Sequence, residues 1–521
     1  MPRILFAGGL NENQNPNILE AKAGYNFELG FSQTKFIPRA PFALAGTATN
    51  ASSINGFAQL VKRNNTETTL VCADTTVYQW DGTTFTSRGT VTSGTLMRDV
   101  YWSLGDYLIL VDVAKLTVVK TWDGTTFSTL TTGLGATNLF AKYGIVHRGR
   151  VWLFNVTTAT DTPHLMVASA FETPTSYDVA LRAKAASFTT GNEAFYMLTP
   201  DLKPINGVAV FHDQLIISTE DGRLFKLTGS DSKDYAWIDF YTGSAAIGKE
   251  SIANIGNDVL YMRKGGVIES FITTQQLGDT RSDDISKWIK NTVANLTGAI
   301  VVYDQSNQKV FFFVGGGKVL VLFKDLMVAS NQFSALMQSA PLSPWSVYKT
   351  QHPSNFATSA AKYMRFPGTS TYTVFFGDAS GRVFDMNGSV AGDASQYSIA
   401  TLRELRLTDK LDNMDYRQRI INGRVTYRRI GDCNLTLSFD WPDEYNVSDA
   451  TVHLKGPPSG QVAAYYNGSS YYNDIAYYNM GSAFANKFSS LGFSPTGRSY
   501  GVTMSMQIDT NVRFQVDQID L

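Results

Sequence analysis

The hexapeptide Trp80-Asp81-Gly82-Thr83-Thr84-Phe85 returns unchanged as Trp122-Asp123-Gly124-Thr125-Thr126-Phe127, 42 residues later. Asp-Gly supplies a turn with positive φ at the glycine, and the flanking Trp, Thr-Thr and Phe favour β structure. Each copy therefore predicts the corner between two antiparallel strands. A repeat of about 42 residues is the length of one propeller blade. Such a unit cannot bury its apolar faces alone. Neighbours must stack, and closing the stack into a ring leaves few free sheet edges.

Measured with that ruler, seven units lie at 56–88, 98–130, 139–177, 206–240, 251–271, 299–323 and 361–386. The constant part is an apolar strand, a tight turn with Gly or Asp, and a second apolar strand. Leu215-Ile216-Ile217 followed by Leu224-Phe225-Lys226-Leu227 is one example. Four short strands per unit predict a meander, with outer strands well marked early and poorly marked in units five to seven. The third unit's outer strand falls near Tyr177. Six or eight blades also fit this spacing. The composition agrees with β-sheet rich in turns: 12% aromatic residues, 43 glycines and only 17% charged residues.

Two insertions interrupt the meander. Ser282-Asp283-Asp284 opens an expected helix to about residue 295, with Ile285, Trp288, Ile289 and Val293 on one face, and a second helix is expected over 325–338. Residues 1–53 form an N-terminal arm, Asn-rich at first and then extended by Pro38 and Pro41, and its phenylalanines predict packing against the C-terminal region. After 395 the pattern changes. Strands expected at 399–407, 420–428, 434–439, 500–508 and 512–516 predict an antiparallel β-sandwich. The division is thus arm 1–53, β-propeller 54–395 and sandwich 396–521, an all-β chain.

The formal charge is −1, so nothing global favours tight nucleic-acid binding. Cys72 and Cys433, the only cysteines, are expected as buried thiols rather than a disulfide framework. The apolar run at 4–7 is too short for a signal-peptide core, and the run at 310–323 is too short for a membrane span and is broken by Gly315-Gly316-Gly317-Lys318. A soluble protein made in a cytoplasm is the expectation. That glycine run lacks the spacing of a phosphate loop and predicts a hairpin turn. The five histidines have no metal-ligand spacing, and no acidic pair stands out for hydrolysis. No catalytic residue, metal or cofactor is assigned.

Two stretches remain as interaction candidates. Residues 403–429 carry eight basic and four acidic side chains, and Arg417, Arg419, Arg424, Arg428 and Arg429 are candidate contacts to a neighbouring subunit or to DNA in a channel. A solvated sheet face with local ion pairs reads the same residues equally simply. Tyr465-Tyr466, Tyr471-Tyr472 and Tyr477-Tyr478 recur every six residues and suit a contact loop, to a sister subunit as a subunit interface or to a sugar, with an ordinary surface loop as the alternative.

Phe36-Ile37-Pro38-Arg39-Ala40-Pro41-Phe42, Gly56-Phe57-Ala58-Gln59-Leu60-Val61-Lys62 and Val77-Tyr78-Gln79-Trp80-Asp81-Gly82 form one familiar set. Tyr427-Arg428-Arg429-Ile430-Gly431, Gly501-Val502-Thr503-Met504 and Phe514-Gln515-Val516-Asp517 form another. Together they resemble the tail nozzle (tail tubular protein B) of short-tailed bacteriophages. The resemblance implies a structural virion protein forming a hexameric ring at the distal tail. Such a ring sits below an adaptor ring, encloses the DNA ejection channel and offers attachment to tail fibres. It is assembled in the bacterial host cytoplasm. This chain is shorter than the best-known members, so the resemblance carries the ring and conduit rather than a gate. A near-neutral chain suits passing DNA, because many phosphate contacts would stall it. A host-surface receptor-binding propeller and a propeller glycoside hydrolase are the other readings of the pattern.

Overall fold

The two Trp-Asp-Gly-Thr-Thr-Phe corners are hairpin turns held by their own aspartates. In the computed structural model, Asp81 Oδ1 accepts the backbone N–H groups of Thr83 (2.8 Å) and Thr84 (2.7 Å), and Asp123 Oδ1 accepts those of Thr125 (2.8 Å) and Thr126 (2.7 Å). Gly82 and Gly124 take φ of 101° and 95°, a region L side chains avoid. Trp80 then pairs with Phe85, and Trp122 with Phe127, across the hairpins. The Thr84 hydroxyl, with the two backbone donors, holds the Asp81 carboxyl well below the usual carboxylate range.

The structure describes residues 42–386, save for interruptions of which 271–283, 328–342, 131–138 and 350–357 are the longest. Outside that span it describes strands at 3–4, 23–25, 27–30, 33–38, 400–406, 423–428, 433–441, 446–454, 488–493, 503–509 and 515–520.

Seven antiparallel sheets follow one another as the blades of a β-propeller. Blade 1 comprises Ile54–Val61, Glu67–Ala73, Thr76–Trp80 and Phe85–Thr90. Blade 2 comprises Met97–Trp102, Tyr107–Asp112, Lys120–Trp122 and Phe127–Thr129. Blade 3 runs from Phe140–His147 through Arg150–Thr157 and Asp161–Ala168 to Phe195–Leu198. Blade 4 runs from Ile205–Phe211 to Ala236–Thr242. Blade 5 has three described strands, Ile252–Asn254, Val259–Met262 and Ile268–Ser270. Blade 6 ends at Trp345–Lys349. Blade 7 is built from Ala361–Arg365, Tyr372–Gly377, Arg382–Asp385 and, as its outer strand, Ala43–Thr47.

That last strand comes from the stretch the sequence assigns to the arm. Leu44 registers with Phe384 and Thr47 with Arg382, so first and last blades are tied by a backbone ladder. Gln59 reinforces the seam. Its amide nitrogen donates to the Arg365 carbonyl (2.8 Å) and its oxygen accepts the Arg365 N–H (2.9 Å).

Each blade face is covered by a neighbour, which explains why the inner strands read as continuous apolar runs rather than alternating ones. Ile54–Val61 is buried at seven of eight positions. Separate apolar clusters fill the seams, such as Leu60, Leu70 and Val77 of blade 1 against Met97, Leu108 and Trp122 of blade 2. The approach is close enough to require glycine at Gly56, where a Cβ would lie 2.5 Å from the Met97 carbonyl oxygen. Cys72 is buried in this seam, and burial pushes its thiol up to about 12.

Three local expectations change. The outer strand of blade 3 is Phe195–Leu198, not a strand near Tyr177, which is buried in the seam of blades 2 and 3. The helix expected over 282–295 shrinks to Lys290–Val293. Asp284 Oδ1 accepts the Ser286 N–H, while the Ile285 N–H donates to Ile268 and the Ile268 N–H to Ser286 Oγ, so this stretch is drawn alongside blade 5 instead of coiling. Ile285, Ile289 and Val293 are nonetheless buried together against blades 5 and 6. The second expected helix is described only at 324–327, and its remainder lies outside the described residues. Gly315-Gly316-Gly317-Lys318 is a hairpin turn, with Gly315 registered on Lys318.

Beyond the propeller, two antiparallel sheets draw on both ends of the chain. One has the order 27–30, 33–38, 515–520, 423–428, 488–493, with 3–4 also pairing 515–520. The other has the order 23–25, 400–406, 503–509, 433–441, 446–454. Leu437 of the second sheet is buried in the apolar cluster of blades 5 to 7.

Candidate functional site

The inner strands of a propeller converge on an axial cavity, and here the cavity is charged. Met97–Trp102 carries Arg98 and Asp99 next to each other in an otherwise apolar inner strand. Alternation along the strand sends them to opposite sides. Arg98 Nε reaches across the hub to Glu250 Oε1, 3.4 Å away, in the turn that enters blade 5. The Arg98 Nη1 also donates to the Asn55 (3.1 Å) and Met97 (2.8 Å) carbonyls. Asp99 Oδ2 accepts the Lys362 ammonium from blade 7 and the Gln59 N–H (3.3 Å) from blade 1. Lys142 of blade 3 lies 5.4 Å from the Tyr143 ring and has no carboxylate partner among the described residues.

The cavity measures about 200 Å³ and has apolar walls that include Ile252 and Val301. At about 30 Å³ per water that is room for roughly seven waters. A duplex, whose major groove alone is about 12 Å wide, does not fit through it. Its two carboxylates are each held by a cation, so the hub is a set of cross-ring clamps joining blades 1, 2, 5 and 7. Replacing Asp99 with Asn is expected to lower stability by about 1–2 kcal/mol, since Lys362 stays half-buried without its counter-charge. Lys142→Met is expected to change it by less than about 0.5 kcal/mol. Urea midpoints at unchanged slope check both values.

None of these hub residues was singled out by the sequence reading. The available signal was an Arg-Asp pair inside a strand whose neighbours are all apolar. Of the residues that were singled out, Arg424 and Arg428 lie on the strand Gly423–Arg428, registered against Asp520 and Gln515 on one side and Gly492 and Phe488 on the other. Arg417, Arg419 and Arg429 lie outside the described residues, as do Tyr465, Tyr466, Tyr471, Tyr472, Tyr477 and Tyr478. Among the described residues no group of three or more His, Cys, Asp or Glu is placed to hold a metal, and no helix is long and apolar enough to cross a membrane.

No family model matches the chain, and no curated protein matches it. Among solved structures, it is similar to PorZ of Porphyromonas gingivalis, described as a surface component of the type-IX secretion system (9% identity, TM-score 0.36). That likeness covers 79% of this chain, which spans only 45% of PorZ. It is also similar to U3-55K (10% identity, TM-score 0.39, 66% of this chain and 98% of that one). A third likeness is to BamB from Moraxella catarrhalis (12% identity, TM-score 0.37, 68% and 91%).

Proposed function

We propose that the chain is a structural virion protein, the subunit of a nozzle ring at the distal end of a short-tailed phage tail, without catalytic activity. One observation carries this reading. Three segments bearing the resemblance, far apart in sequence, lie side by side in one sheet: Val516 registers with Phe36 on one side and with Tyr427 on the other. Framework phrases that pair with one another are what a shared second body would need. The clamped hub supports the same reading, because its carboxylates already have cationic partners and its cavity of about 200 Å³ is too small to hold a duplex. The conduit for DNA then lies between subunits, around a ring axis, and not through the wheel of one chain. The near-neutral balance of 44 basic and 45 acidic residues suits such a conduit. The adaptor ring would be the neighbour above and tail fibres the attachments outside, in a particle assembled in the bacterial cytoplasm.

Electron micrographs and native mass of the full chain, alone and mixed with the adaptor ring protein, test this. Six-fold rings with an axial channel are expected. A stable monomer in every condition, the adaptor included, would overturn it.

A further inference from the structure

The two identical corners are not in the same hydrogen-bonding state. In the first, the Thr84 hydroxyl donates to Asp81 Oδ2 at 2.5 Å, closing the turn on itself. In the second, Asp123 accepts Thr125 and the Thr126 N–H through Oδ1 alone. Asp123 Oδ2 and the Thr126 hydroxyl have no hydrogen-bond partner among the described residues. Both belong to residues lining an open groove of about 280 Å³ between the outer strands of blade 2 and the loop after blade 3's third strand. At the first corner Gly82 instead faces Phe366 and Pro367.

The groove has an unusual chemistry. Tyr107, Thr121, Ser128, Thr129 and Thr175 bring five more hydroxyl groups to it, and Leu130 supplies an apolar wall. Thr121 and Ser128 are bonded to each other at 2.8 Å, and Lys120 Nζ donates to Thr129 at 2.9 Å, so part of this lining is already oriented. Tyr107 is 37% exposed. Partial burial works to raise the Asp123 carboxyl, but the Thr126 and Thr125 donors and the nearby Lys62 charge outweigh it and hold the carboxyl below its ordinary range, which keeps it an acceptor.

We infer that this groove is a saccharide-binding site. A pyranose presents a ring of hydroxyls, each donor and acceptor, and an apolar C–H face. A free carboxylate oxygen accepts sugar hydroxyls with charge-assisted strength, the Thr126 hydroxyl serves as donor or acceptor, and the exposed Tyr107 ring offers a flat partner to the C–H face. A single carboxylate with hydroxyls is a poor cation cage. The volume, about nine waters, holds a single sugar ring with solvent to spare. This inference does not depend on the ring-forming role.

Saturation-transfer NMR on the full chain tests it, with methyl α-glucoside, methyl α-galactoside, methyl α-mannoside and N-acetylglucosamine as probes. At least one probe is expected to receive transfer. Tyr107→Ala and Thr126→Val should each weaken its binding by about tenfold. Thr84→Val, the same change at the closed corner, should leave it as in the wild type. All three positions are exposed, and matching thermal midpoints establish that the variants are folded. Silence from every probe, binding untouched by Thr126→Val, or equal weakening by Thr84→Val would each overturn the site. A chain that forms rings and binds no sugar overturns the site alone, and a sugar-binding monomer leaves it standing.

Discussion

Trp80→Ala is expected to lower the stability of the chain by about 4 kcal/mol, the cost of a large core truncation that leaves a cavity. The Trp80 ring is 1% exposed and lies in the seam where blade 7 meets blade 1. It stacks on Phe85 with centroids 5.8 Å apart and meets Phe366 and Phe375 edge-on at 5.6 and 5.4 Å. Three aromatic partners, two held by different strands and Phe366 by the turn between two strands of blade 7, cannot collapse onto the space an alanine leaves. The indole N–H has no hydrogen-bond partner among the described residues, so the loss is one of packing. Trp80→Phe, which keeps most of the apolar area, is expected to cost about half as much. Urea unfolding at constant slope measures both. A change below about 1 kcal/mol for Trp80→Ala would mean that the seam is not continuous core.

Arg150→Met is the second large effect, expected at about 3–5 kcal/mol. Arg150 is wholly buried at the start of the second strand of blade 3. Its Nη1 donates to the carbonyls of Ser169 (2.6 Å) and Glu193 (2.8 Å), and its Nη2 to that of Gly191 (2.6 Å). The guanidinium lies 5.3 Å from the Phe195 ring. Burial lowers the pKa of this group from the usual arginine value. One side chain thus satisfies three carbonyls of the long connection that precedes the outer strand of blade 3. Methionine fills similar space and takes a donor from all three; the Gly191 carbonyl keeps only the Ser232 N–H at 3.1 Å. Arg150→Lys is expected to recover only part of the loss, because an ammonium lacks the planar fork that reaches three acceptors. Equal stability of the methionine and wild-type chains would sink this account.

These two residues also mark how far the sequence could be read. Trp80 was visible from the start, because its hexapeptide recurs and each copy announces a strand, a turn and a strand. Arg150 was not. It sits in an apolar strand, Arg150-Val151-Trp152-Leu153-Phe154, and what it satisfies lies about 20 to 40 residues on, in chain with no periodic pattern. The hub behaves in the same way. Arg98 and Glu250, or Asp99 and Lys362, have no mark of partnership along the chain, and only closing the ring brings them together.

What the sequence determined by itself was local. Asp81 and Asp123 hydrogen-bond to residues two and three positions on, Gly82 and Gly124 permit the turn, and apolar strands at blade spacing demand stacked sheets. Such bonds form wherever the chain is placed. Tertiary structure alone decided which strand closes the wheel, since Ala43–Thr47 pairs with Arg382–Asp385 although more than 300 residues separate them. It also shortened the helix beside blade 5, where cross-strand bonds to Ile268 outcompete a coil of helical periodicity. It separated the two corners as well: the hexapeptide is identical in both, but the second lines a hydroxyl-rich groove while the first closes on its own Thr84 hydroxyl against Phe366 and Pro367. Strand propensity and turn chemistry are carried within a few residues. The choice of partner is not, because any apolar edge can pair with any other until the ring has closed.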